Sequence, residues 1–204
     1  MCRKKAVREL EVILFGFAQK GERNYDPENK GDPDRDINKL WSQAKAQGLT
    51  DEIINAKNDE GDRPLHEACE QGQASVVEWI LEQPELGAKN YIDEKAQNGM
   101  TPLFLVCLKG YTGAEGVGAK MNRTKENRLK IAKCLVEQGA DINAEDSIGM
   151  TALHWACYND DANLVRFLLE RKADQKISKA GTMAIDIAGF MGYTDVVKVF
   201  LSYG

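Results

Sequence analysis

From about residue 58 onward, apolar and polar positions recur as pairs of short segments. In "TALHWACYND", Leu153, Ala156 and Cys157 fall at i, i+3 and i+4, which places them on one face of a short helix. In "NLVRFLLE", Leu164, Val165, Leu168 and Leu169 repeat that spacing and predict a second helix. Four segments align on a glycine: "GDRPLHEACEQG" from Gly61, "GMTPLFLVCLKG" from Gly99, "GMTALHWACYND" from Gly149 and "GTMAIDIAGFMG" from Gly181. Second apolar segments follow them: "SVVEWILEQ", "LKIAKCLVEQGADINAED", "NLVRFLLERKAD" and the closing "DVVKVFLSYG". Pro64 and Pro102 stand where a first helical turn begins, a position that needs no amide hydrogen bond. Ala68, Ala156 and Ala188 let neighbouring helices approach closely. Pairs this short cannot bury their apolar faces alone, so they must stack.

The glycine-anchored segments carry a T-P-L-H-x-A-like core at a period near ~33 residues. On these residues the chain, from about 58 to 204, resembles the ankyrin-repeat family. The resemblance implies an all-α fold: an ankyrin-repeat α-solenoid of paired short helices with β-turn fingers. The glycines are separated by 38, 50 and 32 residues. Against a period of ~33, the first repeat carries about five extra residues and the second about seventeen. The larger excess is assigned to an insertion at 111–127, after Gly110 as the end of a first helix and before Arg128 as the start of a second. The expected units are repeats at 58–95, 96–145, 146–177 and 178–204, with a shortened cap repeat at 36–57. In that cap, Ile37, Leu40, Trp41 and Ala44 share a helical face behind Asp36 as N-cap. Residues 21–35 read as a polar linker. Residues 1–20 read as a helix with Val7, Leu10, Leu14 and Phe17 on one side, which either covers the end of the solenoid or docks on a partner. The last segment, with Val196, Val197, Val199, Phe200 and Leu201, would expose an apolar flank, so the array either ends on a partner or was cut from a longer protein.

Composition narrows the class. Hydrophobic residues make up 43% and charged residues 29%, as in a soluble globular protein. The longest apolar run, Val12 to Ala18, is far short of the ~18 to 20 residues that span a bilayer, so no integral membrane segment is expected. Glu9 and Glu11, just ahead of it, interrupt the apolar region a signal peptide would need, and no small-residue cleavage site follows, which excludes a secretory signal. The five cysteines form no close pair and read as reduced thiols in a cytoplasmic or nuclear setting. A net charge of −5 argues against nucleic acid as a partner. The charge is segregated: residues 22–62 hold eleven acids and six bases, whereas 109–133 hold seven bases and two acids.

Several motifs fail on chemical grounds. A phosphate loop at 113–120 would need a lysine and a hydroxyl directly after its last glycine, but Gly118 is followed by Ala119, Lys120 and Met121. Asp32, Asp34 and Asp36 start a calcium-loop pattern, but Ile37 and Gln43 stand where glycine and glutamate are required. His66 and His154 have no clustered ligands at metal spacing; the resemblance implies that they make structural hydrogen bonds around their turns and to a neighbouring repeat. Cys69, Cys107 and Cys157 recur at one repeat position, and Cys134 lies among apolar residues, so these are packing residues rather than nucleophiles. Cys2 beside Arg3, Lys4 and Lys5 lacks the glycine that myristoylation needs. No catalytic residue, metal or cofactor is expected.

The resemblance implies binding through finger tips and the outward positions of the first helices. Those positions are Asp59, Glu60 and Asp62, with Glu67 and Glu70; Asn98 and Met100, with Leu105 and Leu108; Ile148 and Met150, with Trp155 and Tyr158; and Lys179, with Ile187 and Phe190. Such a row forms an apolar, aromatic stripe with an acidic N-terminal end, a composition of interface anchors. The expected function is a non-enzymatic adaptor or scaffold whose groove holds a protein segment, such as an amphipathic helix. Alternatives are an ankyrin portion of a larger channel, acyltransferase or signalling protein, or a subunit of a multi-subunit cytoskeletal or ciliary complex. Within the insertion, Lys120, Arg123 and Lys125 face either water or a second contact surface.

Overall fold

The computed structural model describes residues 37–46, 48, 50, 56–57, 61–83, 87, 90–96, 99–108, 124–175, 178 and 181–203. The expected N-terminal helix, the polar linker, Asp32, Asp34 and Asp36 of the calcium-loop pattern, the phosphate-loop pattern at 113–120 and residues 111–123 of the insertion lie outside them. Nine helices occur among the described residues: α1 (Ile37–Ala46), α2 (Pro64–Glu70), α3 (Ala74–Glu82), α4 (Pro102–Cys107), α5 (Lys125–Glu137), α6 (Ala152–Tyr158), α7 (Ala162–Glu170), α8 (Ala184–Met191) and α9 (Thr194–Leu201).

The short helices stack as their spacing requires. Within each repeat α2 packs on α3, α4 on α5, α6 on α7 and α8 on α9. Between repeats, α2, α4, α6 and α8 form one row, and α3, α5, α7 and α9 form the other. Leu65, Leu103 and Leu153, four residues after successive finger glycines, are fully buried between the rows with Ile80, Ile131 and Leu135. Ala68, Ala156 and Ala188 are also fully buried, and their lack of bulk permits the close helix contacts. Burying a leucine or isoleucine here contributes about 1.5–3 kcal/mol.

Three fingers close with one pattern. The first residue of the turn donates its amide to the carbonyl of the residue after the glycine, from Ala96 to Met100 (2.9 Å), Asp146 to Met150 (3.0 Å) and Ser178 to Thr182 (2.9 Å). Gly99, Gly149 and Gly181 have φ of 78°, 76° and 79°, in the left-handed region where a side chain is strained.

Three details add to or depart from the expected boundaries. First, Trp41 of α1 meets Trp79 of α3 edge-on, with ring centroids 5.7 Å apart, so α1 touches the second-helix row. Second, α4 ends at Cys107 rather than Gly110. Leu108 is extended (φ −74°, ψ 122°), and the Asn159 side-chain amide donates to the orphaned Cys107 carbonyl at 2.5 Å. Third, α5 begins at Lys125 rather than Arg128, because the Thr124 hydroxyl accepts from Asn127 N at 3.1 Å as N-cap. The Arg128 guanidinium then pairs with Asp161 at 2.8 Å, both buried. Both ends of the insertion are thereby tied to the next repeat's inter-helix turn.

Candidate protein-binding surface

The first-helix row presents two tracks of side chains. Six residues after each finger glycine stand Glu67, Leu105, Trp155 and Ile187; nine residues after stand Glu70, Leu108, Tyr158 and Phe190. Repeat geometry brings equivalent positions to adjacent places, so each track runs along the stack.

The C-terminal half is aromatic and open. Phe190 is 92% exposed, Tyr158 51% and Ile148 51%. Trp155 is half-buried and packs on the core, as does Ile187. Its ring meets Tyr158 in a T-shaped contact with centroids 5.8 Å apart, a preferred aromatic geometry. The Trp155 indole N–H donates to Asp146 Oδ2 at 3.2 Å. The other oxygen of Asp146 accepts from the amides of Ile148 (3.0 Å) and Met150 (2.9 Å). One buried carboxylate therefore shapes the third finger and aims the indole. The only hint of Asp146 in the sequence is an aspartate opening a turn.

The N-terminal half is acidic. Carboxylate oxygens of Asp62, Glu67 and Glu70 lie within 4.8 Å of one another, which concentrates negative potential at α2. Glu67 also accepts from the Gln71 side chain at 2.9 Å.

The continuous stripe requires correction. Leu105 is 4% and Met150 9% exposed; Leu105 belongs to the core, with Leu108, Met100 and Trp155 packed against it. Asp62 is buried as well. Burial follows from α4 being a six-residue helix held between α2 and α6, all of whose residues are sequestered. Lys125 is exposed in the first turn of α5, and its Nζ donates to the Asp160 carbonyl at 2.6 Å. Asp59, Glu60, Asn98, Lys179, Lys120 and Arg123 lie outside the described residues.

Glu94 is a joint that the sequence did not single out. Its carboxylate pairs with Lys57 (2.7 Å) and Arg63 (2.5 Å). Burial opposes its ionisation, but hydrogen bonds from these two bases outweigh that and lower its pKa. Arg63 also lies over the Tyr91 ring, 4.8 Å from its centroid.

The histidines and thiols are committed to structure. His66 Nδ1 accepts from Arg63 N (3.3 Å), and its Nε2 donates to the Glu94 carbonyl (2.8 Å). His154 Nδ1 accepts from Thr151 N (3.1 Å), and its Nε2 donates to the Thr182 carbonyl (3.2 Å). Burial lowers the pKa of both. It raises the thiols of Cys69, Cys107 and Cys157, to about 12 for Cys107, leaving them protonated and unreactive.

Known proteins agree with this architecture. The family model for ankyrin repeats in three copies matches residues 120–204, and that for a single ankyrin repeat matches 60–91. The chain belongs to the ankyrin-repeat family. Relatives of the array include the nuclear factor NF-kappa-B p105 subunit of Gallus gallus, 31% identical over 74% of this chain and 17% of that protein. Human NF-kappa-B inhibitor zeta is 25% identical over 74% of this chain and 24% of its own. Human transient receptor potential cation channel subfamily A member 1 is 28% identical over 74% of this chain and 12% of its own. The chain thus spans 12% to 24% of these relatives. Ankyrin repeats are in general protein-interaction modules, and no helix among the described residues is long and apolar enough to cross a membrane.

Proposed function

We propose that the array is a non-enzymatic adaptor or scaffold that holds a protein segment along its first-helix row and works in the cytoplasm. The observation that carries this reading is the exposure of Tyr158 and Phe190 at equivalent positions of adjacent first helices, with Tyr158 against an indole held in place by Asp146. Large exposed aromatics on rigid helices lose little entropy on binding and anchor interfaces. The occupant that fits is an amphipathic segment with an apolar face toward α6 and α8 and basic residues toward Glu67 and Glu70.

The test is a Tyr158→Ala, Phe190→Ala double variant. Both side chains are exposed, so circular dichroism and melting should match the parent to within about 0.5 kcal/mol. Comparative affinity capture with mass spectrometry should lose a defined set of proteins. An unchanged captured set, or unfolding, refutes the reading. Trp155→Ala is a poorer probe, because it removes the indole donor from buried Asp146 and costs about 1–3 kcal/mol.

A second reading is an ankyrin portion that regulates or recruits within a larger channel, acyltransferase or signalling protein, or a subunit of a cytoskeletal or ciliary assembly. The several-fold greater length of the relatives favours it. The mass of the native polypeptide separates the two.

A further inference from the structure

We propose that Asn159 is the positioning residue of the aromatic surface: it locks the turn that carries Trp155 and Tyr158 to the end of α4 and so fixes the pose in which a partner meets the two rings. This role rests on the groove reading above. Asn159 is buried at the end of α6. Its backbone amide donates to the Trp155 carbonyl at 3.1 Å, and its side-chain amide donates to the same oxygen at 3.0 Å. The last turn of α6, which begins at Trp155 and includes Tyr158, is thereby closed twice. The side-chain amide also donates to the Cys107 carbonyl at 2.5 Å. α4 ends at Cys107, so this carbonyl is one of the four that a helix C-terminus leaves without a helical partner. An asparagine amide has two N–H groups, and both are used. Rotating the side chain would strip the Cys107 carbonyl of this donor, which holds the rotamer in place.

The residues after Asn159 are fastened too. Lys125 Nζ donates to the Asp160 carbonyl at 2.6 Å, and Arg128 pairs with Asp161 at 2.8 Å. The other oxygen of Asp161 accepts from Leu164 N at 3.3 Å and caps α7. Asp160 between them has φ of 53°, a left-handed conformation that a residue other than glycine keeps when its neighbours are held. Equivalent positions lack the clamp. Gln71, ten residues after its finger glycine, gives its side-chain amide to Glu67 of its own helix at 2.9 Å. Met191, ten residues after Gly181, has no side-chain donor, and the Phe190 ring ahead of it is 92% exposed. Tyr158, ahead of Asn159, instead lies against the Trp155 ring. An aromatic pair already held in one pose loses less freedom when a partner binds.

The experiment uses the full chain and nuclear magnetic resonance. In the parent, a trans-hydrogen-bond coupling should link Asn159 Nδ2 to the Cys107 carbonyl carbon, and nuclear Overhauser contacts should link the Trp155 and Tyr158 rings. Asn159→Ala should lose the ring contacts, and with them the proteins whose capture Tyr158→Ala, Phe190→Ala also abolishes. Ile80→Val, which thins the buried core of the first repeat, should lower the melting temperature and keep both the contacts and the capture. No coupling in the parent overturns the proposal, and that outcome can be read even if Asn159→Ala does not fold. Ring contacts that survive Asn159→Ala, or that Ile80→Val removes as well, also overturn it. If Asn159→Ala loses the ring contacts but capture is insensitive to the Tyr158, Phe190 double variant, the positioning role stands and the groove reading fails. If capture needs Tyr158 and Phe190 while Asn159→Ala keeps both rings and capture, the groove reading stands and the positioning role alone fails.

Discussion

Thr101 and Thr151 occupy the same place ahead of their helices, but only one has a partner for its hydroxyl. The Thr151 hydroxyl reaches His154 Nδ1 at 2.9 Å. Thr101 Oγ1 is buried with no hydrogen-bond partner, because Phe104 stands where a ring nitrogen would be. In the last repeat Asp186 keeps half the role: its carboxylate accepts from Met183 N at 3.2 Å, but it has no N–H to offer the next turn. The replacements at 104 and 186 are legible in the sequence. The orphaned hydroxyl is not, since it depends on α4 burying Thr101. Thr101→Val should therefore leave stability unchanged or raise it by up to about 1 kcal/mol, whereas Thr151→Val should lower it by about 1–2 kcal/mol. Urea denaturation of the two variants measures this, and equal losses would contradict the assignment.

At the scale of elements, the pairing of helices was readable from periodicity, and their ends were not. α4 stops early because Asn159 takes its last carbonyl, and α5 starts early because Thr124 caps it. Each depends on a local polar contact, one of them from a residue fifty-two positions away. The repeat position held by Cys69, Cys107 and Cys157 falls in α8 on Gly189, where an added methyl group would meet nothing within 4 Å. Glycine inside a helix costs about 0.5–1 kcal/mol relative to alanine. Gly189→Ala should accordingly stabilise the protein by about that amount and raise its melting temperature. A fall would mean that the space beside Gly189 is filled in solution.

Across the whole molecule, repeats are joined by His66 to the Glu94 carbonyl and by His154 to the Thr182 carbonyl. In each ring Nδ1 accepts from a backbone amide, so the folded state requires neutral imidazole. Burial, the main cause, places both pKa values below the ordinary 6.5, although nearby Asp62, Glu94 and Asp146 partly oppose it. The unfolded chain therefore binds more protons between the folded pKa and 6.5. The stability these groups contribute is fully present above pH 6.5 and is lost as pH falls through the folded values. Melting temperature should drop from pH 7.5 to pH 5. A His66→Gln, His154→Gln variant should melt lower at pH 7.5 and show a shallower pH dependence. An equal slope would place the titration on carboxylates instead.

The sequence by itself determined the family, the repeat period and the paired-helix stack, because each repeat must bury the same apolar face and so writes the same pattern. It also placed acidic residues in the first repeat and aromatic residues in the last two at equivalent repeat positions, as Glu67, Glu70, Trp155, Tyr158 and Phe190. Only the tertiary structure decided which of those positions reach solvent. Leu105 holds the repeat position of Trp155, and Met150 lies in the same finger as Ile148, yet both Leu105 and Met150 are buried. Exposure depends on what the neighbouring repeat places alongside, and adjacency across repeats is a property of the packed stack.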